Sequence, residues 1–239
     1  MKKLLASLLL LTVAHSGQIT GVRNRKVFPA AGGGISFLAK GCSGTSSTTA
    51  LACSGSITSV PSGATLLIWI SDTVAGTVTV TDTGSHASLA VVSGYPCTYH
   101  SGGSQGTIWI ETGAASGTHS ISATVPTGGG QIVVVAASGG AVDVSTGTGS
   151  TCASAFGTTA TTASITTTHT NDLAFMFVGD TGGAATYTFA STPINLSSSG
   201  FPTFNSDAGF GTITTATTTN GVATLASSNQ WTAELVALH

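Results

Sequence analysis

Apolar and polar positions alternate with a period of two through much of the chain. The pattern is plain in Thr77-Val78-Thr79-Val80-Thr81, in His119-Ser120-Ile121-Ser122-Ala123-Thr124-Val125 and in Thr186-Tyr187-Thr188-Phe189. That period sends successive side chains to opposite faces of a pleated strand, and residues branched at Cβ fit such a surface better than a helix. Three longer runs, 66–70, 132–137 and 173–178, are apolar at every position, which predicts strands buried on both faces. Gly, Ser and Asn clusters interrupt the runs at roughly 8–12 residue intervals, as in a sandwich of short strands. Helical periodicity is absent after residue 40. The expected fold class is therefore all-β, an antiparallel β-sandwich with jelly-roll-like character.

The chain also echoes itself. Residues 56–73 align without a gap onto 164–181, sharing Ser-Ile-Thr, a polar turn, an apolar run and Asp-Thr (Asp72-Thr73, Asp180-Thr181). Beyond them, 106–111 resembles 211–216, and 131–137 has a counterpart in 230–238. The echo implies a pseudo-repeat over about 56–138 and 164–238. The two sets of strands are either two domains or two halves of one sandwich. No linker rich in Pro or charge separates them near residues 150–160, which favours one compact domain over residues 41–239.

Composition adds the compartment. Lys2 and Lys3 precede an apolar run over 4–14, and Ala14-His15-Ser16 puts small residues where a signal peptidase cuts, so residues 1–16 read as a signal peptide. The run is shorter than the roughly 20 residues of a membrane span. Residues 17–40 read as a flexible leader holding Arg23, Arg25, Lys26, Pro29 and Gly32-Gly33-Gly34. It could supply a strand to a partner, and residues 35–39 could form its first strand. Charged residues make up 6% of the chain, against about 25% in ordinary soluble proteins. Every Lys and Arg lies at or before Lys40. A phosphate-binding surface needs clustered cations, so nucleic acid is excluded as a partner.

Four cysteines, Cys42, Cys53, Cys97 and Cys152, suit disulfides in an exported chain. Cys42–Cys53 closes a short Ser/Thr loop, which leaves Cys97–Cys152 as the complementary pair among three possible connectivities.

Taken together, residues 63–72, Thr79-Val80-Thr81-Asp82-Thr83-Gly84, residues 171–180 and residues 231–238 resemble a group of poorly characterised bacterial secreted β-sandwich modules. Those modules share a Gly- or Asn-initiated apolar strand, a Thr-rich strand ending Thr-Asp-x-Gly, and a C-terminal strand with an early aromatic. The likeness covers residues 35–239. This chain has Ser85 and His86 where that pattern continues with Asn and an aromatic. The resemblance implies an extracellular jelly-roll-like sandwich and no particular activity.

Catalytic chemistry finds no foothold. Gly179-Asp180-Thr181-Gly182-Gly183 looks like a serine-protease nucleophile loop but carries Thr181 where the nucleophilic Ser belongs. Glu111 and Glu234 are the only glutamates, and nothing in sequence brings them together as a glycosidase pair. Asp72, Asp82, Asp143, Asp172, Asp180 and Asp207 form no calcium loop, although the echoing Asp72 and Asp180 are the first positions to examine. His86, His100, His119, His169 and His239 lack metal-ligand spacing and read as surface or turn residues. No metal and no cofactor is called for. Trp69, Trp109 and Trp231 read as core aromatics. The Thr-rich stretches 158–170 and 212–219 lack the strict repeat that ice binding needs. Only the loop carrying Tyr95, Tyr99 and His100, held by Cys97, offers a ligand surface, suited to stacking on sugar rings.

By elimination the sequence points to a secreted, non-catalytic structural or adhesive protein at the cell surface, one that assembles with itself into filaments or layers or joins other surface proteins. The alternative is a carbohydrate-binding module using Tyr95, Tyr99 and His100.

Overall fold

The computed structural model describes residues 34–84, 89–99, 104–126, 128–146, 153–181, 186–202 and 205–239. Among them every regular element is a β-strand, and the sheets are antiparallel. The first half holds β1 (Phe37–Ser46), β2 (Ala50–Ala52), β3 (Ile57–Val60), β4 (Ala64–Asp72), β5 (Thr79–Asp82) and β6 (Leu89–Val91). It continues with β7 (Cys97–Tyr99), β8 (Ser104–Ala114), β9 (Gly117–His119), β10 (Ile121–Thr124) and β11 (Gly130–Ala137). The second half holds β12 (Val142–Ser145), β13 (Ala153–Thr161), β14 (Ile165–Thr166), β15 (Asp172–Asp180) and β16 (Tyr187–Phe189). Then come β17 (Ser197–Ser198), β18 (Ser206–Ile213), β19 (Thr218–Thr219) and β20 (Val222–Leu238).

Each half has one large sheet, and the two large sheets share a strand order. The first runs β1-β11-β4-β8-β6, and the second runs β12-β20-β15-β18-β17. Smaller sheets cover their outer faces. In the first half these are β2-β10-β5 and β3-β9. In the second, β14-β19 matches β3-β9, while the ends of β13 and β20 pair with each other and β20 with β16. One 17-residue strand, β20, thus follows the course that β10 and β11 divide between them in the first half.

Period-two alternation explains the continuous apolar runs. Leu66, Ile68 and Ile70 of β4 face the interior of the first half, where they meet Leu51, Ile121, Ile132 and Val134. The intervening Leu67 and Trp69 face the other way, into a cluster with Leu173, Phe175, Phe177, Val236 and Leu238. In β15 the roles repeat: Ala174, Met176 and Val178 fill the interior of the second half. The large sheets therefore pack on each other, and the smaller ones cover the outside. A strand buried on both faces has no polar side to present, so alternation vanishes from its sequence. Each Leu, Ile or Phe fully removed from water here contributes about 1.5–3 kcal/mol.

The structure corrects two details. Pairing to the central strand sets Trp69 opposite Ile108 and Phe177 opposite Ala208. The counterpart of residues 106–111 is therefore 206–211, and the expected match to 211–216 is shifted by five. An odd shift turns every side chain to the wrong face of its strand, and Gly/Thr-rich text does not reveal the error. Second, the strand expected at residues 35–39 is found as β1 from Phe37, but it pairs within this chain rather than being left for a partner. Phe37 is opposite Ala137 in the same chain, and its ring packs on Phe175 and Phe210, with centroids 6.1 and 4.2 Å away. Phe37, and after a break in register residues 41–46, thus pair with this chain's own β11. The leader before residue 34 lies outside the described residues.

Candidate functional site

Buried polar groups in a β-sandwich are costly unless partnered, so the places where this chain buries them are the places to look for chemistry. Among the described residues three such clusters stand out, one between the halves and one within each.

Between the halves, Glu234 of β20 is fully buried, and the Trp69 indole N–H donates to its Oε2. Burial pushes its carboxyl well above the usual range, which favours the neutral acid. Cys97 Sγ lies 3.9 Å from Glu234 Oε1. Nearby, the Tyr95 hydroxyl sits 3.3 Å from Thr146 Oγ1. Burial, reinforced by Glu234, raises the Tyr95 phenol well above its ordinary value. Tyr95 is 8% exposed and its ring belongs to the interior cluster, so it offers no open stacking face. The Tyr99 side chain and His100 lie outside the described residues.

In the first half, His119 of β9 is fully buried between Asp82, at the end of β5, and the main chain. Its Nδ1 meets Asp82 Oδ2, and Nε2 lies 2.9 Å from the Ala115 carbonyl. Both partners are acceptors, an arrangement that favours the doubly protonated, cationic ring. Burial alone would lower its pKa, but Asp82, the Ala115 carbonyl and the charge of Glu111 outweigh that and raise it. Glu111, buried in β8, lies in the same cluster. With both nitrogens engaged, a metal ion here would have to displace one of these contacts. The expectation that it is a surface or turn residue is corrected: the Asp82 carboxylate, the Ala115 carbonyl and the nearby Glu111 carboxylate make its burial tolerable.

In the second half, four residues from distant places meet at one end of the sheet. Asp143 lies in β12, His169 before β15, Asp172 at the start of β15, and His239 follows β20. His239 is fixed by two main-chain hydrogen bonds with Ala141, each 3.0 Å. Asp143 accepts from the Thr168 amide at 2.7 Å and its hydroxyl at 2.5 Å, and lies 3.1 Å from His169 Nδ1. Burial would raise Asp143, but the Thr168 hydrogen bonds, with help from Asp172 and His169, hold it down at about 2. Asp172 is completely buried. Burial first, then the facing Asp143, pushes it up to about 6. The His169 and His239 rings stack with centroids 3.9 Å apart.

The remaining expected positions fall as follows. Cys42 and Cys53 form a disulfide. Cys97 is also disulfide-bonded, while Cys152, its expected partner, lies outside the described residues, as does His86. Trp69 and Trp231 are buried, whereas Trp109 is half-buried. Asp72 and Asp180 end the central strands and are buried. Asp72 Oδ1 accepts from the Val74 amide at 3.2 Å, and Asp180 Oδ2 lies 2.5 Å from the Tyr187 hydroxyl. Trp109 borders a groove of about 290 Å³ with Val78, Val91, Pro96 and Thr107. The Trp109 indole N–H and the Thr107 hydroxyl are buried there without a hydrogen-bond partner.

Sequence reasoning missed the Asp143, His169, Asp172 and His239 cluster because its members are up to 96 residues apart and only the sheet brings them together. The one local signal was His169-Thr170-Asn171-Asp172, a polar turn placing two ligand-type side chains three residues apart. Comparison with protein-family models, curated proteins and solved structures found no match.

Proposed function

We propose that this is a secreted, non-catalytic structural or adhesive protein that joins further copies of itself along an exposed sheet edge. The observation that carries the reading is β13. Among the described residues it pairs with β20 alone, and it contains neither a charged residue nor proline and carries Phe156 75% exposed. Sheet edges that must stay single are usually guarded by Lys, Pro or a bulge. In β13 a register shift between Gly157 and Thr159 breaks the ladder, which leaves residues 153–157 as the regular stretch open to pairing. An antiparallel edge is self-complementary, so a second copy of the same strand is its natural partner. The export-type N-terminus, the Cys42–Cys53 disulfide and the scarcity of charge fit the same reading.

Electron microscopy of untagged mature protein tests it, with a parallel sample lacking residues 17–34. Filaments or layers are the expected result, and a uniformly monomeric protein would contradict the proposal. Undiminished assembly in the truncated sample would assign the contact to the sheet edge and remove the leader from it.

The groove beside Trp109 favours a second reading, carbohydrate binding. It is lined by uncharged groups and an aromatic ring, a combination suited to a sugar. Its aromatic is Trp109, since Tyr95 is interior. A glycan array with wild type and Trp109→Ala decides it: binding lost in the variant supports this reading, and absence of binding removes it.

A further inference from the structure

The carboxyl of Asp172 poses a problem that its surroundings do not solve. It is completely buried, and neither oxygen has a hydrogen-bond donor. The polar side chain that faces it, the Asp143 carboxylate, is another acceptor. Two facing carboxylates need a proton or a cation between them. The remaining faces of the cluster are supplied by His169 and His239, and Asp143, His169 and His239 each offer a ligand atom within 4.8 Å of the others. Two imidazoles and two carboxylates form a donor set of intermediate softness. That composition selects Zn²⁺ or a similar first-row divalent ion over Ca²⁺, which takes oxygen ligands.

The placement adds to the case. Asp143 is anchored by Thr168, and the His239 main chain is locked to Ala141. Both imidazoles are on the exposed side of the cluster, so a ring can turn from the present stack to aim a nitrogen at an ion. The comparable group among the described residues of the first half, Asp82, Glu111 and His119, differs in that its histidine is buried with both nitrogens occupied. We infer that Asp143, His169, Asp172 and His239 form a binding site for one divalent transition-metal ion, which clamps the ends of β12, β15 and β20 together.

Calorimetric titration of the untagged full chain with ZnCl₂ tests the assignment, with CaCl₂ as a parallel arm. The expected result is one Zn²⁺ per chain, and a thermal midpoint that rises with Zn²⁺. His169→Ala and His239→Ala, both at exposed positions, should keep the circular dichroism spectrum and weaken binding by at least about tenfold each. Asp172→Asn should weaken it similarly while leaving the metal-free protein folded. Absence of Zn²⁺ binding, or binding unchanged in the His169→Ala/His239→Ala double variant, would overturn the site. Preference for Ca²⁺ would overturn its metal class.

Discussion

Trp69 and Phe177 stack across the centre of the molecule, with ring centroids 6.0 Å apart and planes 8° from parallel. Each is the sixth residue of a nine-residue central strand, one in each half. A residue that touches its own counterpart marks the axis of a two-fold relation. The contact between the halves is therefore built as a dimer interface is, with the indole N–H of Trp69 turned to Glu234 where its own half has the apolar Val133.

Removing that stack should loosen the centre of the molecule. Phe177→Ala is expected to cost about 3–5 kcal/mol. Trp69→Phe keeps an aromatic ring but leaves the buried Glu234 without its indole donor, at a cost of about 1–3 kcal/mol. Urea unfolding followed by circular dichroism measures both. A Phe177→Ala cost below 1 kcal/mol would place the main adhesion between the halves elsewhere.

How much of this was legible depends on which residues made contact with which. The strands themselves were readable because Thr79, Val80 and Thr81 alternate and because residues 66–70 and 173–178 do not. The pairing Cys42–Cys53 was readable from its short spacing. His119 was not, since its burial depends on Asp82 and Ala115, brought to it by β5 and the turn before β9. Tyr95 sits in a loop rich in polar neighbours, yet its ring turns inward toward Thr146, 51 residues away. Local text shows the period of a strand, while side-chain partners in a sandwich are set by strand order.

Stability should fall as pH rises above neutral, through His119. The folded state raises its pKa above the unfolded value of about 6.5. Its contribution is therefore whole below pH 6.5 and disappears as pH climbs through the folded pKa. An NMR titration of the His119 ring should give a midpoint above 6.5, and Asp82→Asn should lower it. A midpoint at or below 6.5 in the wild type would contradict a buried imidazolium.

Asp207 of β18 should act in a lower window. Burial pushes it up to about 6, despite hydrogen bonds from the Ala208 amide and the Ser198 hydroxyl. A carboxyl raised from 3.8 binds its proton more tightly when folded, so its contribution is present below pH 4 and is lost as pH rises through 6. The loss amounts to about 3 kcal/mol. Asp207→Asn should flatten the decline between pH 4 and 6 and raise stability at pH 7. A variant whose decline parallels the wild type would rule this group out.

Opening the Cys42–Cys53 link should destabilise the first half. The bridge spans a sequence separation of 11, for which chain entropy gives about 3 kcal/mol. The Cys42→Ser/Cys53→Ser double variant, unfolded in urea under oxidising conditions so that Cys97 stays bonded, should show that loss. A change under 0.5 kcal/mol would mean that the loop is already ordered in the unfolded chain.

Self-association along β13 is the claim on which the functional account turns. Sedimentation velocity of the mature protein against Phe156→Lys measures it most directly. Phe156 is exposed, so the charge should leave the fold and thermal midpoint unchanged. The account predicts concentration-dependent oligomers in the wild type and a single monomeric boundary in the variant. A wild type that stays monomeric across the concentration range, or a variant that assembles as readily, would contradict it.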